Sequence, residues 1–202
     1  MNIGLTGGIA SGKTTAANYL QELGAKVISA DEISREIMKK GRPAWQKVVE
    51  EFGRSILKED GELDRSRLGK IVFNDSSKLK LLEKITHPLI INEMEKKIAE
   101  IRKQDEKANR KLVIVLEIPL LFEIGLMEMV DQVWVVFVDQ STQIERVMER
   151  DGLSPVQARS RIEAQIPMTR KKELADVVID NTSSRVELKN RINNLWQQVI
   201  KG

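Results

Sequence analysis

The sequence predicts an α/β fold in which a five-stranded parallel sheet is flanked by helices. Three observations lead there. Short strand-like runs alternate with longer stretches of helical periodicity, the pattern of a parallel sheet. The first such run leads directly into Gly7-Gly8-Ile9-Ala10-Ser11-Gly12-Lys13-Thr14, a match to the phosphate-binding pattern G-x-x-x-x-G-K-[ST], and a helical stretch follows. Two segments between strands are far longer than a single crossover helix requires, which marks them as helical insertions.

The elements follow in order. Asn2 to Thr6 reads as a short buried strand, and Thr14 to Leu23 as the helix that completes the loop motif. Lys26 to Ser29 is the second strand. Lys111 to Glu117 and Gln132 to Val138 are β-branched, nearly uncharged runs typical of buried parallel strands. Val177 to Asp180 is the fifth, and Glu187 to Ile200 a closing helix. The first insertion holds helical patterns at Ile33–Lys39, Ala44–Glu51, Ser66–Phe73 and Lys78–Lys103, broken by Gly41-Arg42-Pro43, Gly53 and Asp60-Gly61. It reads as a substrate-binding subdomain that ends in a charged, solvated stretch from Glu100 to Lys111. The second insertion, Gln143 to Gln165, reads as two helices around Asp151-Gly152-Leu153-Ser154-Pro155.

Composition narrows the function classes. The 202 residues are 41% hydrophobic and 31% charged, as in an ordinary globular protein. The net charge of +3 is spread along the chain, and aromatics are 4%, so no nucleic-acid surface is expected. With no cysteine, disulfides, thiolate metal sites and cysteine nucleophiles are excluded. No apolar run approaches about 18 residues, so no membrane span is expected. The first strand is expected to start at residue 2, so no leader is expected. These features predict a cytoplasmic enzyme with no obligate protein partner.

The loop motif carries the most specific chemistry. Its glycines let backbone N–H groups turn toward phosphate oxygens, and the helix N-terminus adds a favourable dipole. Lys13 can reach the β- and γ-phosphates, and the Thr14 hydroxyl can ligand Mg²⁺. The candidate nucleotide ligands are Gly8, Ile9, Ala10, Ser11, Gly12, Lys13, Thr14 and Thr15. Without N-K-x-D after a strand, guanine recognition of the GTPase kind is not expected.

Asp31 lies just past the second strand, where ligands gather in such sheets. It reads as the base that takes a proton from an attacking hydroxyl, or as a helix N-cap. Arg35, four residues on, is either its ion-pair partner or a ligand for a substrate anion. Glu117 ends the third strand and reads either as a carboxylate holding Mg²⁺ through water or as a strand-end charge in solvent. Pro119, Leu120, Leu121 and Phe122 would line the crevice with an apolar wall. Arg146, Arg150 and Arg161 suit a lid that neutralises phosphoryl charge and excludes water. His87, the only histidine, is followed by Pro88 and either orders a turn or contacts substrate.

Taken together these residues resemble the dephospho-CoA kinase family across nearly the whole chain. The resemblance begins with Gly4 to Lys13 and continues through Ala30-Asp31, Arg35, Phe52-Gly53, Asp60-Gly61, Leu63-Asp64-Arg65, Leu68 and His87-Pro88. It resumes at Pro119 to Glu123, the Arg146/Arg150 pair and Ala158 to Gln165, and closes with Ala175 to Asn181. It implies a P-loop kinase core (1–31, 111–140 and 166–202), a helical CoA-substrate subdomain (32–110) and a lid (141–165). It implies ATP-dependent phosphorylation of the ribose 3′-hydroxyl of dephospho-CoA, giving CoA and ADP, with Mg²⁺. Lys13, Asp31, Arg146 and Arg150 would then be catalytic, and Asn181 would lie near the adenine. Asp31, Arg35, Arg65, His87, Pro119, Leu120, Leu121, Phe122 and Arg161 would face the acceptor. Ser29 stands where the family often has an acid, and Ser183 where a glycine is common. The rival readings are a kinase of another small metabolite or nucleoside monophosphate, and a nucleotide-dependent switch.

Overall fold

The computed structural model describes residues 1–106 and 111–201. They divide into two compact units, Met1–Ser29 with Ile101–Gly202, and Ala30–Glu100.

The first unit is built on one sheet. Its strands are β1 (Asn2–Gly7), β2 (Lys26–Ser29), β3 (Ile114–Glu117), β4 (Gln132–Phe137) and β5 (Val177–Asp180). They lie in the order β2-β3-β1-β4-β5, every pairing parallel. Helices cover parallel sheets on their faces, and β1 and β3 are buried along their whole length, the polar Asn2, Thr6 and Glu117 included. The third strand is shorter than expected. Its ladder opens at Ile114, and Lys111 to Val113 precede it as irregular chain that still accepts Lys26 N–H at Val113.

Helix α1 (Lys13–Glu22) buries Ala16, Ala17 and Leu20, and the two alanines let it approach the sheet closely. The closing helix α9 (Arg185–Lys201) packs Leu188, Ile192 and Trp196 into the same core as Ile3, Leu5, Val115, Trp134 and Ile179. Register brings functional positions together. Ser29 of β2 and Leu5 of β1 both stand beside Glu117 of β3, at the carboxyl ends of the strands. Helices α6 (Gln140–Asp151), α7 (Pro155–Glu163) and α8 (Met168–Glu173) fill the chain between β4 and β5. Asp139 caps α6 through the Thr142 N–H. Ser154 and Gln157 form a reciprocal capping box on α7.

The second unit is helical. Helices α2 (Ala30–Ile37), α3 (Pro43–Phe52) and α4 (Arg65–Asn74) surround a core of Met38, Ala44, Val48, Ile56, Leu63, Leu68 and Val72. Pro43 opens α3, where its missing N–H has no intrahelical partner to lose. Asp64 caps α4 by accepting the Ser66 and Arg67 N–H groups. The long helix α5 (Ser76–Asp105) contains Pro88 in its interior. Of the two readings of His87, the one that has it order a turn is therefore corrected, because the chain is helical there. An X-Pro pair disfavours helix locally, and here Leu82, Ile85 and Leu89, on both sides of it, pack against the core of the helical unit. Of the charged stretch from Glu100 to Lys111, the part up to Asp105 is helix, and 107–110 lie outside the described residues.

Candidate active site

The loop between β1 and α1 wraps tightly at the carboxyl edge of the sheet. Ala10 takes φ +57° and Gly12 φ +89°, so two left-handed residues bend the chain within three positions. A non-glycine residue there costs about 1–3 kcal/mol, strain of the kind that functional loops carry. Gly12 is required twice over, because a Cβ at that position would also stand 2.2 Å from Asn181 Nδ2. Helix α1 starts at Lys13 with no side-chain cap on its first turn. Its leading N–H groups are the ones an anion would satisfy.

Lys13, Thr14 and Glu117 converge. Lys13 Nζ donates to Glu117 Oε1 at 2.8 Å, and Thr14 Oγ1 donates to the same oxygen at 2.7 Å. Glu117 is buried. Burial alone would push its carboxyl up, but the Lys13 ammonium and the Thr14 and Ser29 hydroxyls outweigh it and hold the group below its ordinary value. The reading of Glu117 as a solvent-facing strand end is thus corrected: the β2–β3–β1 register places it among three donors.

Two expected phosphate ligands are already engaged. The Gly8 N–H lies 3.0 Å from Met168 Sδ, and the Ile9 N–H donates to Gln165 Oε1 at 2.9 Å. Ser11 N–H closes a turn onto the Gly8 carbonyl at 3.1 Å. The backbone donors of Gly8, Ile9 and Ser11 therefore shape the loop. Those of Ala10, Gly12, Lys13, Thr14 and Thr15 remain for an anion. Gly8 serves close packing: a Cβ there would meet Gln143 Nε2 at 2.5 Å.

Asn181 follows β5 and holds the loop from the other side, its Nδ2 donating to the Ser11 carbonyl at 2.8 Å. Arg146 donates to the Asn181 carbonyl at 3.0 Å. Arg150 and Arg161 both meet Asp151, each with a contact at 2.8 Å, and both side chains are otherwise exposed. The structure thus brings Arg146 to the loop's support, and pairs Arg150 with Arg161 on one carboxylate.

The Pro119–Phe122 segment divides. Pro119 and Leu120 are half-buried, whereas Leu121 is fully buried, with its Cδ1 2.5 Å from where a Gly4 Cβ would stand, and Phe122 is buried too. Leu121 and Phe122 fill core space, so the expected apolar wall reduces to Pro119 and Leu120. Just beyond, Glu123 Oε1 takes an ion pair at 2.8 Å from Lys171, a fully buried lysine of α8.

In the second unit, Asp31 sits in the first turn of α2, exposed, which corrects the N-cap reading because Ala30 already belongs to the helix. Among the described residues Asp31 forms no ion pair with Arg35, so that reading falls as well. Arg35 instead offers its carbonyl to Arg65, whose guanidinium lies 3.4 Å away. Desolvation and the neighbouring Arg35 charge lower the Arg65 value, with Glu62 offsetting part of this. His87 lies in mid-α5 and is half-buried.

Sequence reasoning missed Gln143, Met168 and Lys171. An isolated glutamine, methionine or lysine on a helix carries no periodic or motif signal. Gln165 was visible only as the end of a family segment.

Comparison with known proteins decides the family. The dephospho-CoA kinase (CoaE) family model matches residues 1–187. The chain belongs to the dephospho-CoA kinase family. A dephospho-CoA kinase from Carboxydothermus hydrogenoformans is 48% identical over 196 residues, 97% of this chain and 93% of that protein. Among solved structures, a Thermus thermophilus protein aligns with TM-score 0.83 at 28% identity, covering 100% of this chain and 98% of that one. Dephospho-CoA kinase from Campylobacter jejuni aligns with TM-score 0.73 at 32% identity, over the same shares. Among the described residues no helix is long and apolar enough to cross a membrane, and no group of three or more Asp, Glu, His or Cys side chains is placed to hold a metal.

Proposed function

We propose that this chain transfers the γ-phosphoryl of ATP to the ribose 3′-hydroxyl of dephospho-CoA, giving CoA and ADP. Family membership over residues 1–187 carries the reading. The loop geometry supports its nucleotide half. Free N–H groups at the start of α1 suit the phosphates, and Lys13 stands beside them as a point charge.

The donors at Thr14 and Glu117 are all oxygen, which fits Mg²⁺, a cation that keeps several waters and takes one or two protein ligands beside phosphate oxygens. Thr14 would hold it directly and Glu117 through water. Bound there, Mg²⁺ would neutralise charge on the phosphates. Lys13 would then shift from Glu117 toward the β- and γ-phosphates.

Asp31 supplies an exposed carboxylate two residues past the end of β2. In the proposed step the ribose oxygen bonds to the γ-phosphorus, its proton passes to Asp31, and the bridging oxygen leaves with ADP. Arg146 is tied to the nucleotide loop through Asn181. Arg150 and Arg161 reach phosphate by leaving Asp151. Arg35 and Arg65, side by side without an ion pair among the described residues, suit the acceptor's anionic groups. On this reading 1–31, 111–140 and 166–202 bind nucleotide, 32–110 binds the acceptor with His87, Pro119 and Leu120 contributing, and 141–165 is the lid.

A coupled ADP-release assay with MgATP tests the proposal, run with and without dephospho-CoA. ADP release that depends on dephospho-CoA, with a product one phosphoryl heavier, is expected. Slow ADP release indifferent to the acceptor would point to a nucleotide switch.

A further inference from the structure

Both backbone groups of Ile9 are gripped by glutamines. Gln143 Nε2 donates to the Ile9 carbonyl at 2.9 Å, and the Ile9 N–H donates to Gln165 Oε1 at 2.9 Å. These glutamines stand at the two feet of the α6–α7 hairpin, the segment that bears Arg146, Arg150 and Arg161. Gln143 is only 2% exposed. It lies one turn before Arg146 on α6, so the two side chains share a face. Arg146 reaches the Asn181 carbonyl, and Asn181 Nδ2 reaches the Ser11 carbonyl. The contacts close a ring: Ile9, Gln143, Arg146, Asn181, Ser11 and back along the loop to Ile9.

We propose that Gln143 is a positioning residue for phosphoryl transfer, fixing the register between the phosphate loop and Arg146. The ring holds the carbonyls of Ile9 and Ser11 on neutral carboxamides. Released, those carbonyl dipoles could turn toward the phosphates and repel them. An amide suits this task better than an ammonium or guanidinium, because a cation would be drawn from the carbonyl to the anion. The close approach of Gln143 also accounts for Gly8, whose Cβ would lie 2.5 Å from Nε2.

The inference rests on the reading of Arg146 as a phosphate-side arginine, so its test includes a measurement independent of the acceptor. Gln143→Met, Arg146→Ala and the double variant are compared with wild type for ADP affinity by calorimetry, for KM of ATP and of dephospho-CoA, for kcat, and for melting temperature. Gln143→Met is expected to weaken ADP binding and raise KM for ATP about tenfold, with KM for dephospho-CoA held within about twofold. In the Arg146→Ala background it should add less than about threefold, because the two residues act as one unit. Nucleotide affinity unchanged beside a lowered melting temperature would overturn the proposal, as would losses that multiply in the double variant. If Gln143→Met does not fold, Gln143→Asn keeps the amide but withdraws it from Ile9, and the same pattern is required of it. A wild-type protein inert toward dephospho-CoA would instead overturn the acceptor assignment, while the ADP affinities would still decide the role of Gln143.

Discussion

Glu117 is the residue on which the nucleotide half of the site turns. Its carboxylate is buried yet charged, because Lys13 and Thr14 share one of its oxygens. The sign of its pH effect follows. A carboxyl held below its ordinary value in the folded state stabilises the fold fully above about pH 4.5, and that contribution fades as pH falls through the lowered folded value. Urea unfolding of wild type and Glu117→Gln should therefore differ most near neutrality, by about 3 kcal/mol if the Lys13 ammonium is left unpaired, and converge in acid. A gap independent of pH would detach Glu117 from that role. Asp31→Asn tests the proposed base: kcat should drop roughly 10²–10⁴-fold with little change in KM for ATP, read from initial rates. Lys13 and Thr14 were legible because their spacing is dictated by phosphate geometry. The burial of Glu117 was not, since a strand-end acid looks the same in a sequence whether its neighbours are solvent or a lysine from another element. Gly8 and Ile9 matched the motif, yet the structure gives their N–H groups to Met168 and Gln165.

Among the elements, α8 shows how a short helix is pinned. Its six residues could not persist alone, and Lys171 anchors it by pairing with Glu123 beyond β3. Lys171→Met should cost about 3–5 kcal/mol in chemical denaturation, because Glu123 would keep a poorly solvated charge. Pairing it with Glu123→Leu should recover most of the loss, and a double variant as unstable as the single would contradict this account. The run Arg170-Lys171-Lys172 gave no sign that its middle member is buried. Helix α5 carries the opposite lesson. Its long helical periodicity from Lys78 to Lys103 was plain, and the chain runs through Pro88 as that periodicity indicates. Strand β3 was legible in type and misplaced at its start, because Lys111 to Val113 share its composition without its pairing.

At the scale of the whole molecule, two compact units each close their own core, one on a sheet and one on helices. The sheet was readable from five short strand-like runs, two of them strongly β-branched. The order β2-β3-β1-β4-β5 was not, since strand neighbours depend on contacts distant in sequence. The proposed division of labour predicts separable kinetics. Arg35→Ala combined with Arg65→Ala should raise KM for dephospho-CoA by about tenfold or more and leave KM for ATP within about twofold, as steady-state rates would show. The central claim concerns the acceptor. The most direct test offers MgATP together with equal amounts of dephospho-CoA, adenosine monophosphate, shikimate and gluconate, and follows each by mass spectrometry. Phosphorylation of dephospho-CoA alone, at the ribose 3′-hydroxyl, is the predicted result. A phosphoryl group on any other acceptor, with dephospho-CoA untouched, would contradict it.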